Sequence, residues 1–231
     1  MAVPIAVRTT VTTAINSAIF IAMLLGPSRL ISGGWGWQRG WFAVAVCCAE
    51  TVVGTVFFLV TAPALVRERM SARGQTSADR WATLLIALVM TTWFLSAASD
   101  IHLGPMLPPP PRVVSLWLGL VVHGFGLGLI VWTLRVNSFA ATVVRIQADQ
   151  RVIDRGPYGV VRHPMYLGAI FWLGGLALLL ESTATAVATL PVVILGFLPR
   201  MVIEEATLGR DLPGYTDYQR RVRARILPGV F

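Results

Sequence analysis

Four long apolar runs occupy the first 136 residues, separated by polar or charged clusters. They extend from about Thr13 to Ile31, Trp41 to Pro63, Trp81 to Ala98 and Val114 to Val136. A bilayer core requires about 20 apolar residues of helix, and lipid offers the backbone no hydrogen-bond partner. The runs therefore predict four membrane-spanning α-helices, the first interrupted near its end by Gly26-Pro27. Trp35, Trp37, Trp41, Trp81 and Trp117 lie at or near the run ends, where an aromatic belt belongs. The proline-rich stretch from Pro105 to Pro111 predicts a stiff, extended connector.

The pattern changes after Val136. Residues 137–166 mix polar, basic and glycine-proline elements. An apolar piece from Leu167 to Leu180 then meets Glu181-Ser182, and a second runs from Ala184 to Leu198. Each is short for a full span, which predicts a tilted helical hairpin that enters and leaves on one side. The tail from Arg200 to Arg225 reads as a helix, a Pro213-Gly214 break and a second helix. The fold class is an all-α integral membrane protein with five to six transmembrane segments, the last two a short hairpin. The chain reads as a single membrane domain, 1–231, with helices in 1–136 and the chemistry in 137–231.

Composition sharpens this picture. Only 13% of residues are charged and the mean hydropathy is +0.70, so the excess apolar surface has to face lipid. The net charge is +8, and every basic residue is arginine. The arginines sit in loops between apolar runs without an aromatic-interleaved basic face. That excludes nucleic acid as the favoured partner and points to the lipid bilayer and its anionic headgroups. Arg67, Arg69, Arg73 and Arg80 crowd one loop and Arg135, Arg145, Arg151, Arg155 and Arg162 another, against Arg112 alone between them. The positive-inside rule puts the crowded loops and the N-terminus in the cytoplasm of a multi-pass cell (inner) membrane protein. Arg29 and Arg39 in the first loop favour the opposite sense. The apolar stretch after Arg8 lacks a small-residue cleavage site and reads as a first helix rather than a signal peptide. Adjacent Cys47 and Cys48 read as buried thiols, and no His or Cys cluster has metal-ligand spacing, so no metal is expected.

Three features carry candidate chemistry. The first is Arg155-Gly-Pro-Tyr158-Gly-Val-Val-Arg162-His163-Pro164-Met165-Tyr166-Leu-Gly168. Gly156-Pro157 forces a turn, and Pro164 suits the first turn of the following helix, whose backbone N–H groups can receive an anion. The second is Arg200-Met-Val-Ile-Glu204-Glu205 at a hydrophobic boundary, where Arg200 and Glu204 share a helix face. The third is Tyr215-Thr-Asp-Tyr218-Gln-Arg220-Arg221, with two aromatics three apart. Each also has a plain reading: an interfacial anchor, a solvated ion pair, and tyrosines packed at a membrane surface.

Together, in this order, the three features resemble the isoprenylcysteine carboxyl methyltransferase family and its bacterial and archaeal relatives. The resemblance covers about residues 137–228. It implies an S-adenosylmethionine-dependent methyltransferase with a C-terminal, cytoplasmic, helical cofactor pocket. That pocket would draw on Gln147, Gln150, Arg151, Val152, Ile153, Tyr158, His163, Pro164, Met165, Tyr166 and Glu204. Arg200 would face the acceptor, a lipophilic small molecule or prenylated group bearing a carboxylate, thiol or amine. Gln150 stands where the eukaryotic enzymes have histidine, and the spacing from Glu205 to Tyr215 is one residue shorter.

The chemistry of these residue types agrees with that implication. Glu204 can hold an α-ammonium, helix-start N–H groups with His163 can receive a carboxylate, and Val152, Ile153 and Met165 can cover an adenine. A carboxylate acceptor requires no general base, only orientation by Arg200. An amine or thiol must lose a proton, for which His163 or Glu205 is the candidate. Two alternatives remain: a nicotinamide-dependent membrane reductase, whose Arg-His-Pro-X-Tyr typically has Asn where Met165 stands, and a non-catalytic protein on the same scaffold. Elsewhere, Glu50 is an intramembrane acid expected to pair with an arginine or face a polar cavity. His123 is expected to hydrogen-bond between helices, with Gly124, Gly126 and Gly128 permitting close packing, and His102 is expected to be exposed.

Overall fold

The computed structural model describes residues 5–71 and 74–229; Arg73, one of the orientation-setting arginines, lies outside them. The chain forms α1 (Ile5–Ser32), α2 (Gln38–Thr61), α3 (Pro63–Arg69), α4 (Ser77–His102), α5 (Arg112–Val136), α6 (Pro164–Leu179), α7 (Thr183–Asp211) and α8 (Tyr215–Arg221). No strand occurs among the described residues. Helices α1, α2, α4, α5 and α7 are long and apolar enough to span a membrane, and α6 is a shorter apolar helix. Exposed Val52, Val53, Val56, Leu84, Leu88, Val121, Phe125, Val187 and Leu195 cover the outside of the bundle, a surface suited to lipid and not to water.

Local chemistry sets several boundaries. The Thr76 hydroxyl caps α4 by accepting from the Asp79 N–H at 3.1 Å. Ala62 leaves helical geometry between α2 and α3, and Pro63 then opens α3 without needing a backbone donor. Contrary to the expected interruption, α1 runs through Gly26 and Pro27 to Ser32. Proline within a spanning helix is tolerated where neighbouring helices shield the freed carbonyl.

The terminal hairpin departs from expectation in the same way. Only α6 is short: its 16 residues span about 24 Å. α7 has 29 residues and continues through both Pro191 and Pro199, spanning about 43 Å. The turn between them is pinned by the Ser182 hydroxyl, which donates to Asp100 Oδ2 at 2.7 Å. In an antiparallel hairpin the unequal lengths fix the register. Counting back from the turn, the residues near Arg200 come level with Pro164, and the last turns of α7 project beyond the start of α6.

Neighbours in the bundle run α2, α1, α4, α7, α6, α5, with α2 also touching α6. The core at the hairpin-turn end contains Leu24, Ala43, Val44, Trp93, Phe94, Leu173, Leu176 and Leu179. α5 and α6 approach most closely, through glycine. A Cβ on Gly126 would stand 2.3 Å from the Trp172 nitrogen, and one on Gly175 would stand 2.2 Å from the His123 nitrogen. Gly124 and Gly128, by contrast, face open space, so only Gly126 of the three serves close packing.

Candidate active site

A cavity of about 350 Å3 lies where α3, the start of α4, the 137–163 segment, the start of α6, the end of α7 and α8 meet. Its size is within the usual range for small-molecule sites, roughly 300–1,000 Å3. Of the residues expected to bind a cofactor, Gln150, Arg151, Val152, Ile153, Tyr158, His163, Pro164, Met165, Tyr166 and Glu204 line it, and so does Arg200. Tyr215 and Tyr218 also line it, with ring centroids 5.7 Å apart.

Two expected residues do not line it. Gln147 turns away: its amide nitrogen donates to the Phe139 carbonyl at 2.7 Å, and its backbone N–H donates to Gln150 Oε1 at 2.9 Å. Gln147 therefore shapes the loop that presents Gln150. Glu205 is 7% exposed and lies behind the cavity wall, where it accepts from Arg162 Nε at 2.7 Å and Arg225 Nε at 3.1 Å. Its Oε1 is also 3.1 Å from His163 Nε2. Three partners occupy this carboxylate, which locks the His163 ring with one nitrogen turned from the cavity.

His163 is consequently well defined. It stacks on Tyr166 at 5.4 Å, and its Nδ1 is 4.0 Å from Glu204 Oε2. The acid expected to hold a cation and the histidine that opens α6 therefore converge on one wall, as the hairpin register dictates. Arg162 completes the framework: its Nη1 donates to the Val222 and Arg223 carbonyls, each at 2.8 Å. The tail also pairs with the backbone, since the Arg162 and His163 N–H groups donate to the Ala224 and Arg225 carbonyls. The N–H groups before and at the start of α6 are partly engaged within the chain. Those of Arg162 and His163 serve the tail, Pro164 has none, and those of Tyr166 and Leu167 donate to the His163 carbonyl.

Arg200 does not pair with Glu204, four residues on. It reaches α4 instead, with Nη1 3.7 Å from Asp79 Oδ1 and 3.3 Å from the Thr83 hydroxyl oxygen, while Nη2 donates to the Thr142 carbonyl. Asp79 is fully buried, and its other oxygen accepts from the Val144 N–H at 3.2 Å. One acid thus binds α4, the cavity wall at 142–144 and α7 together. Nothing in the sequence pattern singles out Asp79 as a site residue. Arg69, which also lines the cavity, reads only as a loop arginine. Tyr158 is held by Asn137, whose amide donates to its hydroxyl at 2.8 Å, and burial pushes its phenol up to about 12. It is therefore a neutral hydroxyl at neutral pH.

Away from the cavity, Glu50 forms a polar knot within the bundle. His123 Nε2 is 2.9 Å from Glu50 Oε1, and the Trp172 indole donates to Oε2 at 3.0 Å. His123 Nδ1 meets the Trp172 carbonyl at 2.8 Å, so this histidine does join helices. Cys47, Glu50 and His123 bring one potential metal-ligand atom each within 4.8 Å of one another. They come from α2 and α5, a convergence that sequence spacing cannot disclose. Glu50 has histidine and tryptophan partners here, not arginine. His102 is not exposed: its Nε2 is 2.7 Å from the Ser28 hydroxyl, and its ring packs on Trp37.

Fold and cavity together define a multi-pass membrane protein with a mixed polar and apolar pocket at one end of its helix bundle. Residues 114–211 match the family model described as phospholipid methyltransferase, a likeness that supports a membrane methyltransferase. The match covers α5 except its first two residues, the pocket loop, α6 and all of α7. A comparison with curated proteins finds no match to the chain.

Proposed function

We propose that this protein transfers a methyl group from S-adenosylmethionine to a lipophilic acceptor at the cytoplasmic face of the cell membrane. The observation that carries this reading is the convergence of His163 and Glu204, 4.0 Å apart, on a cavity walled by both membrane helices and the polar tail.

The donor set suits such a cofactor. Glu204 presents a partly exposed carboxylate to the cavity and makes no hydrogen bond among the described residues, so it is free to hold an α-ammonium. Val152, Ile153 and Met165 offer an apolar wall to an adenine, and Gln150 and the backbone around it offer polar edges. S-adenosylmethionine supplies an electrophilic methyl group on a sulfonium. The residues of this chain then have to align the acceptor and exclude water, because in-line displacement depends mostly on positioning.

Arg200 is well placed to orient the acceptor. Asp79, Thr83 and the Thr142 carbonyl fix its guanidinium beside Ile86 and Phe197, on the side of the cavity formed by membrane helices. A lipid tail could lie along that side while its polar head faces the methyl donor. If the acceptor loses a proton, His163 Nδ1 is better situated to take it than Glu205, whose oxygens are committed to arginine and histidine.

The test is incubation of purified protein with methyl-labelled cofactor and separate pools of lipid extracts, prenylcysteines, amines and thiols. Label in one lipophilic product is expected. Label in none, together with a melting-temperature rise on adding NADPH but not S-adenosylhomocysteine, would favour a reductase instead.

A further inference from the structure

Besides Arg145, Arg151, Arg162 and Arg200, the cavity is lined by one cationic side chain that the family-matched segment does not supply. Arg69 ends α3, and its guanidinium lines the cavity beside Tyr158, Tyr166 and Arg200. Nη1 donates to the Ala140 carbonyl at 3.1 Å, which fixes the group without neutralising it. Among the described residues no carboxylate lies within 4.0 Å of Arg69, whereas Arg39, Arg145, Arg162, Arg200 and Arg225 each have one.

The nearby acids are committed elsewhere. Glu68 pairs with Arg145, Asp79 serves Arg200 and Val144, and Glu205 serves Arg162, His163 and Arg225. Burial draws the Arg69 pKa down, and the like charge of Arg200 adds to this. The two phenols beside it carry no charge at neutral pH. A partly desolvated guanidinium lacking a counter-ion is costly, and a bound anion would relieve that cost. Of the other expected anion receptor, the backbone at the start of α6, the Tyr166 and Leu167 N–H groups donate to the His163 carbonyl, and the Arg162 and His163 N–H groups just before it donate to the tail.

We propose that Arg69 receives a carboxylate of a bound ligand, while Glu204 in the same cavity receives a cation. The pocket is then bipolar, and its cationic pole comes from α3, outside the matched segment. The inference rests on the reading of this cavity as the cofactor and acceptor site. The carboxylate can belong to the amino-acid end of the cofactor or to the acceptor; guanidinium chemistry is the same for both.

Calorimetric titration of the purified full chain in detergent separates these sources. The probes are S-adenosylhomocysteine, 5′-methylthioadenosine (which lacks the amino-acid end), dodecanoate and methyl dodecanoate. Arg69→Met is expected to lose about tenfold in affinity for one of the two carboxylates and to bind its uncharged counterpart like wild type. Arg69→Lys, which keeps the charge but not the two-pronged donor, loses less. A loss confined to S-adenosylhomocysteine assigns the group to the cofactor, and a loss confined to dodecanoate assigns it to the acceptor. Equal affinities of wild type and variant for both carboxylates overturn the proposal, and if S-adenosylhomocysteine still binds, the methyltransferase reading survives. Wild type that binds dodecanoate through Arg69 but not S-adenosylhomocysteine sinks the cofactor reading and keeps the role of Arg69. Wild type that binds none of the four probes overturns both. Should Arg69→Met fail to fold, as judged by circular dichroism, Arg69→Lys decides. A loss confined to one carboxylate supports the proposal, and no loss overturns it.

Discussion

Single side chains in the site divide into those that face the cavity and those that hold them there. Glu205 belongs to the second group, because its oxygens are buried against Arg162, His163 and Arg225. Removing one partner of a buried ion pair typically costs about 3–5 kcal/mol. Arg225 is about a third exposed and can rehydrate, so Glu205→Gln is expected to cost about 3 kcal/mol, at the lower end of that range. Reversible denaturation in mixed micelles measures it, and a loss near zero would mean the cluster is not structural. Asp79→Asn keeps an oxygen for the Val144 N–H but removes the negative charge facing Arg200. The expected outcome is a several-fold rise in KM for the acceptor with a smaller change in kcat. A fall in kcat alone would contradict the role given to Asp79. Neither partnership was legible in the sequence. Glu205 read as a candidate proton acceptor because adjacency to Glu204 says nothing about which face of α7 meets the tail. The plain reading paired Arg200 with Glu204 because helical spacing reports only neighbours on the same helix.

At the scale of elements, the hairpin and the α5–α6 contact decide where the site forms. The apolar pattern did predict the long helices of the first 136 residues, and glycine and proline the turn at Gly156-Pro157 and the start of α6 at Pro164, but α3 read as loop. It did not predict the length of α7, because Pro199 and the polar residues after it look like a terminus when no neighbours are visible. That length is what brings Arg200 and Glu204 alongside His163. The glycines tell a similar story. Three alternate along α5, yet only Gly126 touches the α6 backbone, since spacing by two rotates successive residues by about 200° around a helix. Gly126→Ala is therefore expected to destabilise by about 3 kcal/mol or more, because neither backbone can yield. Gly124→Ala is expected to be neutral or stabilising by up to about 1 kcal/mol. Parallel melting curves of the two variants test this, and equal effects would refute the close approach.

At the scale of the whole molecule, the charge asymmetry and the site agree. The cavity end carries the arginines of α3, the 137–163 segment and the tail, while Arg39, Arg112 and Glu181 gather at the hairpin-turn end. Thr216 lies at the first end and Met106, 83% exposed, lies in the proline-rich connector toward the second. Cysteine at Met106 is expected to react with a membrane-impermeant maleimide on intact cells, and cysteine at Thr216 only after lysis. The reverse pattern would invert the topology and put the pocket on the wrong side for a cytoplasmic cofactor. The fold class was readable because lipid imposes helix length and apolarity so strictly. The Glu50–His123–Trp172 knot and the Arg69 contribution were not, because each joins helices far apart in the chain.

Equilibrium binding of S-adenosylhomocysteine to wild type and Glu204→Gln, in the same detergent and at the same pH, bears most directly on the site. Saturable binding at one site in wild type, weakened about tenfold in the folded variant, is the predicted result. Wild type without detectable affinity, or a variant that binds as tightly, would contradict it.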